Sequence, residues 1–490
     1  MEKDPNVKMK STSSALGWKL LENFGVAGVH FVLQIILARI LDPEHYGVLS
    51  LMLIFVNLAT VFIQNGFNTS LIQNKDVTDQ DYSSVFWVTL SISGMLYAVI
   101  FLAAPVIATF YEMPSIVAPL RVIALVLFPG AYNSIQLAKV SRGLDFKKVF
   151  ISNIGAIFVS GTVGIIVALN GGGLWALVAQ NLINTFTACL VMSLTVRWYP
   201  RLTLNWNRIR VLFGFGWKLV VSGLIETLYQ DLHSLVIGKK YDSSTLGYNN
   251  RGKQFPQFVI GAINGAIQSV MLPTMSARQD HADEVKNLMR RSMRVSSYII
   301  FPMMAGLAAV ASPLIGLILT EKWLPCVPYL QIYCFTMAFY PVHTCNLQTI
   351  NAMGRSDLFL KLEIVKKCYG IIALLIAVIC FDSPLGIAAS GIVTTLISCF
   401  VNASPNKKLI GYSYVEQMKD ILPSFLMSMV MFAAIYPIIY LNVHAVITIL
   451  LQVSLGIIVY IVLSMVSKND CFEFLLSTIA KTAKKSDRKG

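Results

Sequence analysis

Long apolar runs separated by short polar clusters dominate the chain. A bilayer core takes about 20 apolar residues per helical crossing, and by that measure there are about fourteen such stretches. They lie at 15–38, 46–70, 84–110, 115–138, 149–169, 173–196, 211–237, 254–275, 296–320, 325–351, 358–381, 384–403, 421–441 and 444–467. The runs are continuous, whereas barrel strands would be about 10 residues of alternating pattern. The pattern therefore predicts an all-α integral membrane protein. The first run contains Lys19, Glu22 and Asn23, and no small-residue cleavage site follows it, so it reads as an uncleaved helix and not a signal peptide.

The pattern repeats. Gly17-Trp18-Lys19-Leu20 recurs as Gly216-Trp217-Lys218-Leu219, roughly 200 residues on. A turn glycine follows each copy, Gly47 and Gly247. Asn57, Gln64 and Asn68 match Gln257, Asn264 and Gln268 at one offset, and Pro129 and Asp145 match Pro341 and Asp357 at another. Six helices separate the copies. An even number keeps them in one orientation, as parallel repeats about an axis along the membrane normal. The expected organisation is an N-lobe at 1–196, a basic, aromatic interfacial linker at 197–210 and a C-lobe at 211–403. Two more helices follow at 404–467, then a basic tail at 468–490. Two six-helix lobes around one axis suit a central cavity that alternates between the two sides.

Composition agrees. The chain is 490 residues, 56% hydrophobic and 13% charged, where a soluble chain carries about 25% charged residues. The net charge of +14 is mostly a topology signal. With the N-terminus inside, the basic clusters Lys139–Lys148, Arg197–Arg210, Arg290–Arg294 and Lys481–Lys489 all fall on the cytoplasmic side. Both termini are then cytoplasmic, the basic surface meets anionic lipid, and no nucleic-acid partner is needed. Lys239, Lys240, Arg251 and Lys253 break the rule, on the outer side. The eight cysteines contain no C-x-x-C pair and read as small buried hydrophobes.

Polar residues inside the spans mark the candidate site. Lys19, Glu22, Asn23, His30 and Gln34 share one face of the first helix, and Lys218, Ser222, Glu226, Tyr229 and His233 share one face of the seventh. Four of these correspond across the repeat: Lys19 with Lys218, Asn23 with Ser222, His30 with Tyr229, and Gln34 with His233. Asn57 and Gln64 on helix two, with Gln257 and Asn264 on helix eight, add an amide stripe. A charge at the bilayer centre costs roughly 2.5–3.5 kcal/mol or more, so such residues face a wet cavity or a partner. Cations for phosphates, amides for hydroxyls and aromatic faces for sugar rings make a sugar-phosphate site. Arg39 and Lys239 are a second cationic pair at the outer helix ends. Glu22, Glu226 and Asp231 are candidates for ion coupling, since an acid in a low-dielectric site can cycle its proton. Each assignment has a plain alternative: lysines that snorkel to headgroups, amides that join helices, and acids held in structural ion pairs.

No phosphate-binding loop, dinucleotide fingerprint or H-E-x-x-H helix is present, which leaves no sign of a cofactor, a metal or an ATPase. Asp79-Gln80-Asp81 has the D-x-D form of metal-dependent glycosyltransferases, but it reads better as a solvated turn or helix cap.

The opening run LGWKLLENFGVAGVHFVLQIILARILDPEHYGVLSL resembles the start of the Wzx-type polysaccharide flippases of the multidrug/oligosaccharidyl-lipid/polysaccharide superfamily, as do Phe67–Gln73 and Arg142-Gly143-Leu144-Asp145-Phe146. The similarity spans nearly the whole chain and is greatest to the colanic-acid-exporter-like branch. It implies an oligosaccharide on undecaprenyl pyrophosphate as substrate, moved from the cytoplasmic to the periplasmic leaflet of a bacterial inner membrane by alternating access. It implies helices 1, 2, 7 and 8 around a cationic cavity, to which Lys19, Arg39, Lys218 and Lys239 correspond in kind. It also implies energy from an H+ or Na+ gradient or the membrane potential, and a place beside polysaccharide polymerase and chain-length machinery. The extra helix pair resembles that of lipid II flippases. The alternatives are a cation-coupled multidrug exporter of the same superfamily and a membrane-embedded polymerase or ligase.

Overall fold

The structure, a computed structural model, describes residues 18, 25–64, 66–74, 76–441 and 443–477. Among these residues there is no strand. The first helices are α1 (Ala27–Ile40), α2 (Pro43–Gln64), α3 (Phe67–Gln73) and α4 (Asp79–Phe110), then α5 (Val117–Ile123), α6 (Leu127–Arg142), α7 (Phe146–Leu169) and α8 (Leu174–Val196). There follow α9 (Trp206–Lys240), α10 (Ser243–Ser276), α11 (Ala282–Ala309), α12 (Ala311–Leu319), α13 (Val327–Ala338) and α14 (Tyr340–Ala352). The last are α15 (Ser356–Cys380), α16 (Pro384–Ile410), α17 (Tyr414–Ile435) and α18 (Ala445–Val466).

Nine helical stretches among the described residues are long and apolar enough to cross a membrane, or up to eleven if each of two bent pairs is one span. The bent pairs are α9, with a 48° break between Gly214 and Gly216, and α11 with α12, turned by 65°. Three expected runs fall outside that number for visible reasons. Only Ala27–Ile40 of the first is described as an α-helix. The run at 325–351 is divided into α13 and α14 at Phe339. The run at 358–381 carries Lys361, Glu363, Lys366 and Lys367 within α15.

Helix starts are written in the sequence. Thr78 and Asp81 form a reciprocal capping box at the start of α4, as do Ser413 and Glu416 at α17. Asn205 caps α9, its Oδ1 accepting from Arg208 N at 3.2 Å. Gly411, at φ +65°, ends α16 in the left-handed conformation that glycine adopts without strain.

The chain gathers into two compact units, the first ending at Gly247 and the second beginning at Tyr248. In the first, α7 packs along α8, α4 along α6, and α9 against α2, α3 and α4. Its core at one end joins Leu71, Tyr82, Phe86, Ile135, Trp198 and Leu212. The 197–205 linker is stitched to this core. The Tyr132 hydroxyl donates to Trp198 O (2.6 Å), and Trp87 Nε1 donates to Arg201 O (2.9 Å). Tyr199, Leu202, Leu204 and Trp206 remain exposed along it, as an interfacial segment requires. In the second unit α11 packs along α17, with α18 on α17 and α12. Tyr298, Met427, Met431, Ile435 and Tyr460 form their shared core.

Candidate functional site

Lys19, Glu22 and Asn23 lie outside the described residues. On α1, His30 and Arg39 are exposed. Gln34 turns toward its own bundle, its Nε2 3.5 Å from Gln180 Oε1 on α8. Arg39 forms no ion pair among the described residues. On α2, Asn57 and Gln64 are exposed.

The seventh span is built by α9. Its polar face runs from exposed Lys218 and Ser222 to half-buried Glu226, Tyr229 and His233. An adjoining face exposes Trp217, Val221, Ile225 and Leu228. One long helix thus presents a polar and an apolar face outside the core, as a helix between water and lipid must. Its bend sits where α9 comes closest to the break between α2 and α3. A Cβ on Gly216 would lie 2.5 Å from Gly66 O, so the approach requires glycine. Ser70 holds the junction by donating to Leu212 O at 3.0 Å.

The other charged candidates have companions. Glu226 accepts from Gln230 Nε2 at 2.8 Å on its own helix. Asp231 and His233 are also engaged. Lys239 Nζ donates to Phe110 O (2.7 Å), pairs with Glu112 (3.0 Å) and lies over the Phe110 ring, which ties the end of α9 to the end of α4. Lys218 makes no ion pair among the described residues and keeps its charge available. On α10, Gln257 is exposed, whereas Asn264 Oδ1 accepts from Thr344 Oγ1 of α14 at 2.5 Å. Arg251, one of the basic residues expected on the outer side, is buried over the Trp323 ring and donates to Gln254 Oε1 at 2.6 Å.

The Asp79-Gln80-Asp81 motif is a cap and a clamp. Asp81, with its side chain 2% exposed, receives Arg208 Nε and Nη2 at 3.0 Å each, while Asp79 pairs with Lys139 at 3.0 Å. At the repeat-related Asp357, beyond the end of its span, Arg355 holds the carboxyl down at about 2, so that pair stays ionised at physiological pH.

A polar core in the second unit has little signature in the hydropathy pattern. Asn346, Asn406 and Gln417 are fully buried on α14, α16 and α17. Asn406 Nδ2 donates to Asn346 Oδ1 at 2.7 Å, and Asn346 Nδ2 to Gln417 Oε1 at 2.9 Å. Nearby, Asn402 meets His343 at 3.3 Å, and Lys366 pairs with Glu363 on α15. The signal for the last pair was the charge inside 358–381; isolated amides far apart in sequence gave none. Among the described residues no cluster of His, Cys, Asp and Glu could hold a metal.

Membrane-length helices, some of them broken and some with polar faces, define a multi-pass membrane protein. Solved structures share that fold. The lipid II flippase MurJ in an inward closed conformation aligns with TM-score 0.75 over 92% of this chain and 99% of its own, at 15% identity. An inward-facing multidrug resistance MATE family transporter aligns with TM-score 0.59 over 78% and 95%, at 14% identity. The polysaccharide biosynthesis protein family matches residues 36–328, and the chain belongs to that family, among the Wzx-type flippases. The succinoglycan biosynthesis transport protein ExoT of Rhizobium meliloti (strain 1021) is 23% identical over 96% of both chains. The lipopolysaccharide biosynthesis protein WzxC of Escherichia coli (strain K12) is 21% identical over 86% of both.

Proposed function

We propose that this protein flips undecaprenyl-pyrophosphate-linked oligosaccharide from the cytoplasmic to the periplasmic leaflet of a bacterial inner membrane, for surface polysaccharide synthesis. The family match over residues 36–328 carries the reading. It is a transporter and not an enzyme. Fourteen crossings form two parallel six-helix lobes, 1–196 and 211–403, with the linker 197–210 between them. Helices at 404–467 and a basic tail at 468–490 follow, and both termini are cytoplasmic. The divided α13–α14 and the charged α15 count among those crossings.

The substrate site in this reading is the cavity faced by the first, second, seventh and eighth spans. Lys218 is its best-supported cation, because it is exposed at the head of the α9 polar stripe and has no acidic partner among the described residues. Lys19 is its repeat mate, and Arg39 serves the outer end. Ser222, Tyr229, His233, Asn57, Gln64, Gln257 and Asn23 supply polar contacts to sugar hydroxyls. Alternating access is supported by the first turns of α2 and α10, which abut. A Cβ on Gly47 would lie 1.7 Å from Ser243 O, and one on Gly247 2.1 Å from Pro43 O. Two glycines let the helix starts seal one end with no side chain to withdraw. Coupling to an H+ or Na+ gradient runs through Glu22, Glu226 or Asp231.

The test is depletion of the protein in cells, followed by quantification of undecaprenyl-linked oligosaccharide on the cytoplasmic leaflet. Completed units should accumulate there. Wild-type protein should clear them, and a Lys19→Ala, Lys218→Ala variant should not. Equal clearance by both would remove the cationic site and keep the flippase. No accumulation in cells lacking a second flippase would remove the flippase and favour a multidrug exporter.

A further inference from the structure

The lower part of α11 carries Arg290, Arg291 and Arg294 just before its apolar run begins at Val295. Arg294 lies four residues after Arg290 and three after Arg291, the spacings that make neighbours on a helix surface, so the three guanidiniums cluster around it. Asp420 of α17, its side chain 2% exposed, receives Arg290 Nε (2.6 Å) and Nη2 (2.9 Å). It also receives Arg294 Nε (2.8 Å) and Nη2, and the Tyr412 hydroxyl at 2.7 Å. A carboxylate offers about four lone-pair positions, so Asp420 has no acceptor capacity left. Each guanidinium has five N–H donors, so both arginines retain donors.

Arg291 forms no ion pair among the described residues; its guanidinium lies 4.1 Å over the Phe474 ring, on the helical segment 470–477. Asp470, 86% exposed, lies 3.6 Å from Arg294. Glu416 also acts on Arg290 but is paired with Lys286 at 3.3 Å. Among these described groups the three guanidiniums and Lys286 face Asp420, Asp470 and Glu416, which leaves one positive charge uncompensated. Between α11 and the 470–477 segment is a cavity of about 300 Å³, where Asn287, the three arginines, the exposed Asp470 and Phe474 converge.

We propose that this cavity binds a phosphate group, either the headgroup phosphate of an anionic phospholipid or a free phosphate or diphosphate. Guanidinium forks match phosphate oxygens in pairs, which an ammonium cannot do. The cavity also lies at the height where α11 changes from charged to apolar, the level at which a bilayer presents its phosphates. Bound there, the anion joins α11 to the C-terminal segment through Arg291 and Arg294 and supplies the charge that Asp420 cannot. The proposal is independent of what the protein transports.

The test uses the full chain in nanodiscs of phosphatidylcholine, with or without a minor fraction of phosphatidylglycerol. Lipid retention is read by native mass spectrometry and melting temperature by tryptophan fluorescence. The phosphatidylcholine discs are also titrated with inorganic phosphate and pyrophosphate. The wild type should retain phosphatidylglycerol or respond to a free anion, with a higher melting temperature, and Arg291→Gln should weaken that binding about fivefold or more. A response to phosphatidylglycerol alone assigns the headgroup, and a response to pyrophosphate or phosphate assigns the free anion. No response to any of them, or equal binding by Arg291→Gln, overturns the proposal. Should Arg291→Gln melt lower in phosphatidylcholine alone, Asn287→Asp gives the same readout from an exposed position. Its added negative charge should expel the anion, and undiminished binding would overturn the proposal equally.

Discussion

Arg121 stands within the fourth apolar run, where a charge is costly, and the backbone explains it. Pro105 has no N–H, so the carbonyl of Phe101 loses its helical donor. Arg121 Nε donates to that carbonyl at 3.1 Å, and its guanidinium lies 4.0 Å over the Phe101 ring. Within a bilayer an unmet carbonyl has no water to turn to. Arg121→Leu should therefore destabilise the protein by about 1–3 kcal/mol, measured by melting in nanodiscs. Pro105→Ala should recover most of that loss, because it restores the N–H. Additive effects in the double variant would refute the pairing. Asp81 makes a different demand. Asp81→Asn leaves the isostere but removes the charge facing Arg208, and should cost about 3 kcal/mol. The loss should appear first as protease cleavage in the 197–205 linker, which hangs on the same helix ends.

Helix α18 satisfies backbone breaks elsewhere in its unit. Pro302 frees the carbonyl of Tyr298, and the Tyr460 hydroxyl of α18 donates to it at 2.8 Å. Gln452, fully buried on the same helix, donates to Ala309 O (3.3 Å) at the 65° bend and to Ile435 O (3.1 Å) where α17 ends. Thr448, Gln452, Tyr460 and Ser464 form a buried polar stripe on a helix that otherwise meets lipid with Leu450, Ile457 and Val462. Tyr460→Phe should cost about 1–2 kcal/mol, and the same substitution in a Pro302→Ala background should cost less; equal losses in melting temperature would show that the hydroxyl serves something else. Element positions were legible because hydropathy reports burial in lipid directly. The breaks at Gly66, Gly216, Val310 and Phe339 were not, since apolar runs continue across them and what bends them is a neighbour's backbone or a proline's missing donor. At the site, the α9 stripe could be read from spacing alone. Spacing gave no sign that Gln34 would turn to Gln180, that Lys239 would bind the end of α4, or that Arg251 would be buried.

At the scale of the molecule, Gly47 and Gly247 bring two helix starts together, each resting on the other's backbone. Gly47→Val with Gly247→Val should leave a chain that inserts and purifies as a single species but cannot close that end. Cytoplasmic lipid-linked oligosaccharide should then build up as it does on depletion. Normal clearance by this variant would mean that the glycines serve packing and not transport. Lys218→Ala alone should lower the rate of clearance by roughly tenfold, the scale of one charge-assisted contact of about 1.5 kcal/mol, with membrane abundance unchanged.

The stripe on α18 also imposes an order in time. Ribosomes deliver α11, with its proline and its bend, well before Tyr460 and Gln452 exist. Until α18 enters the bilayer, the carbonyls of Tyr298 and Ala309 wait without these partners. This part of the fold is therefore completed only when α18 arrives, and membrane proteases that inspect unfinished chains have a long interval in which to find it. Chains stopped just before Ala445 should be degraded far faster than chains stopped just after Val466, a difference that pulse-chase labelling would read.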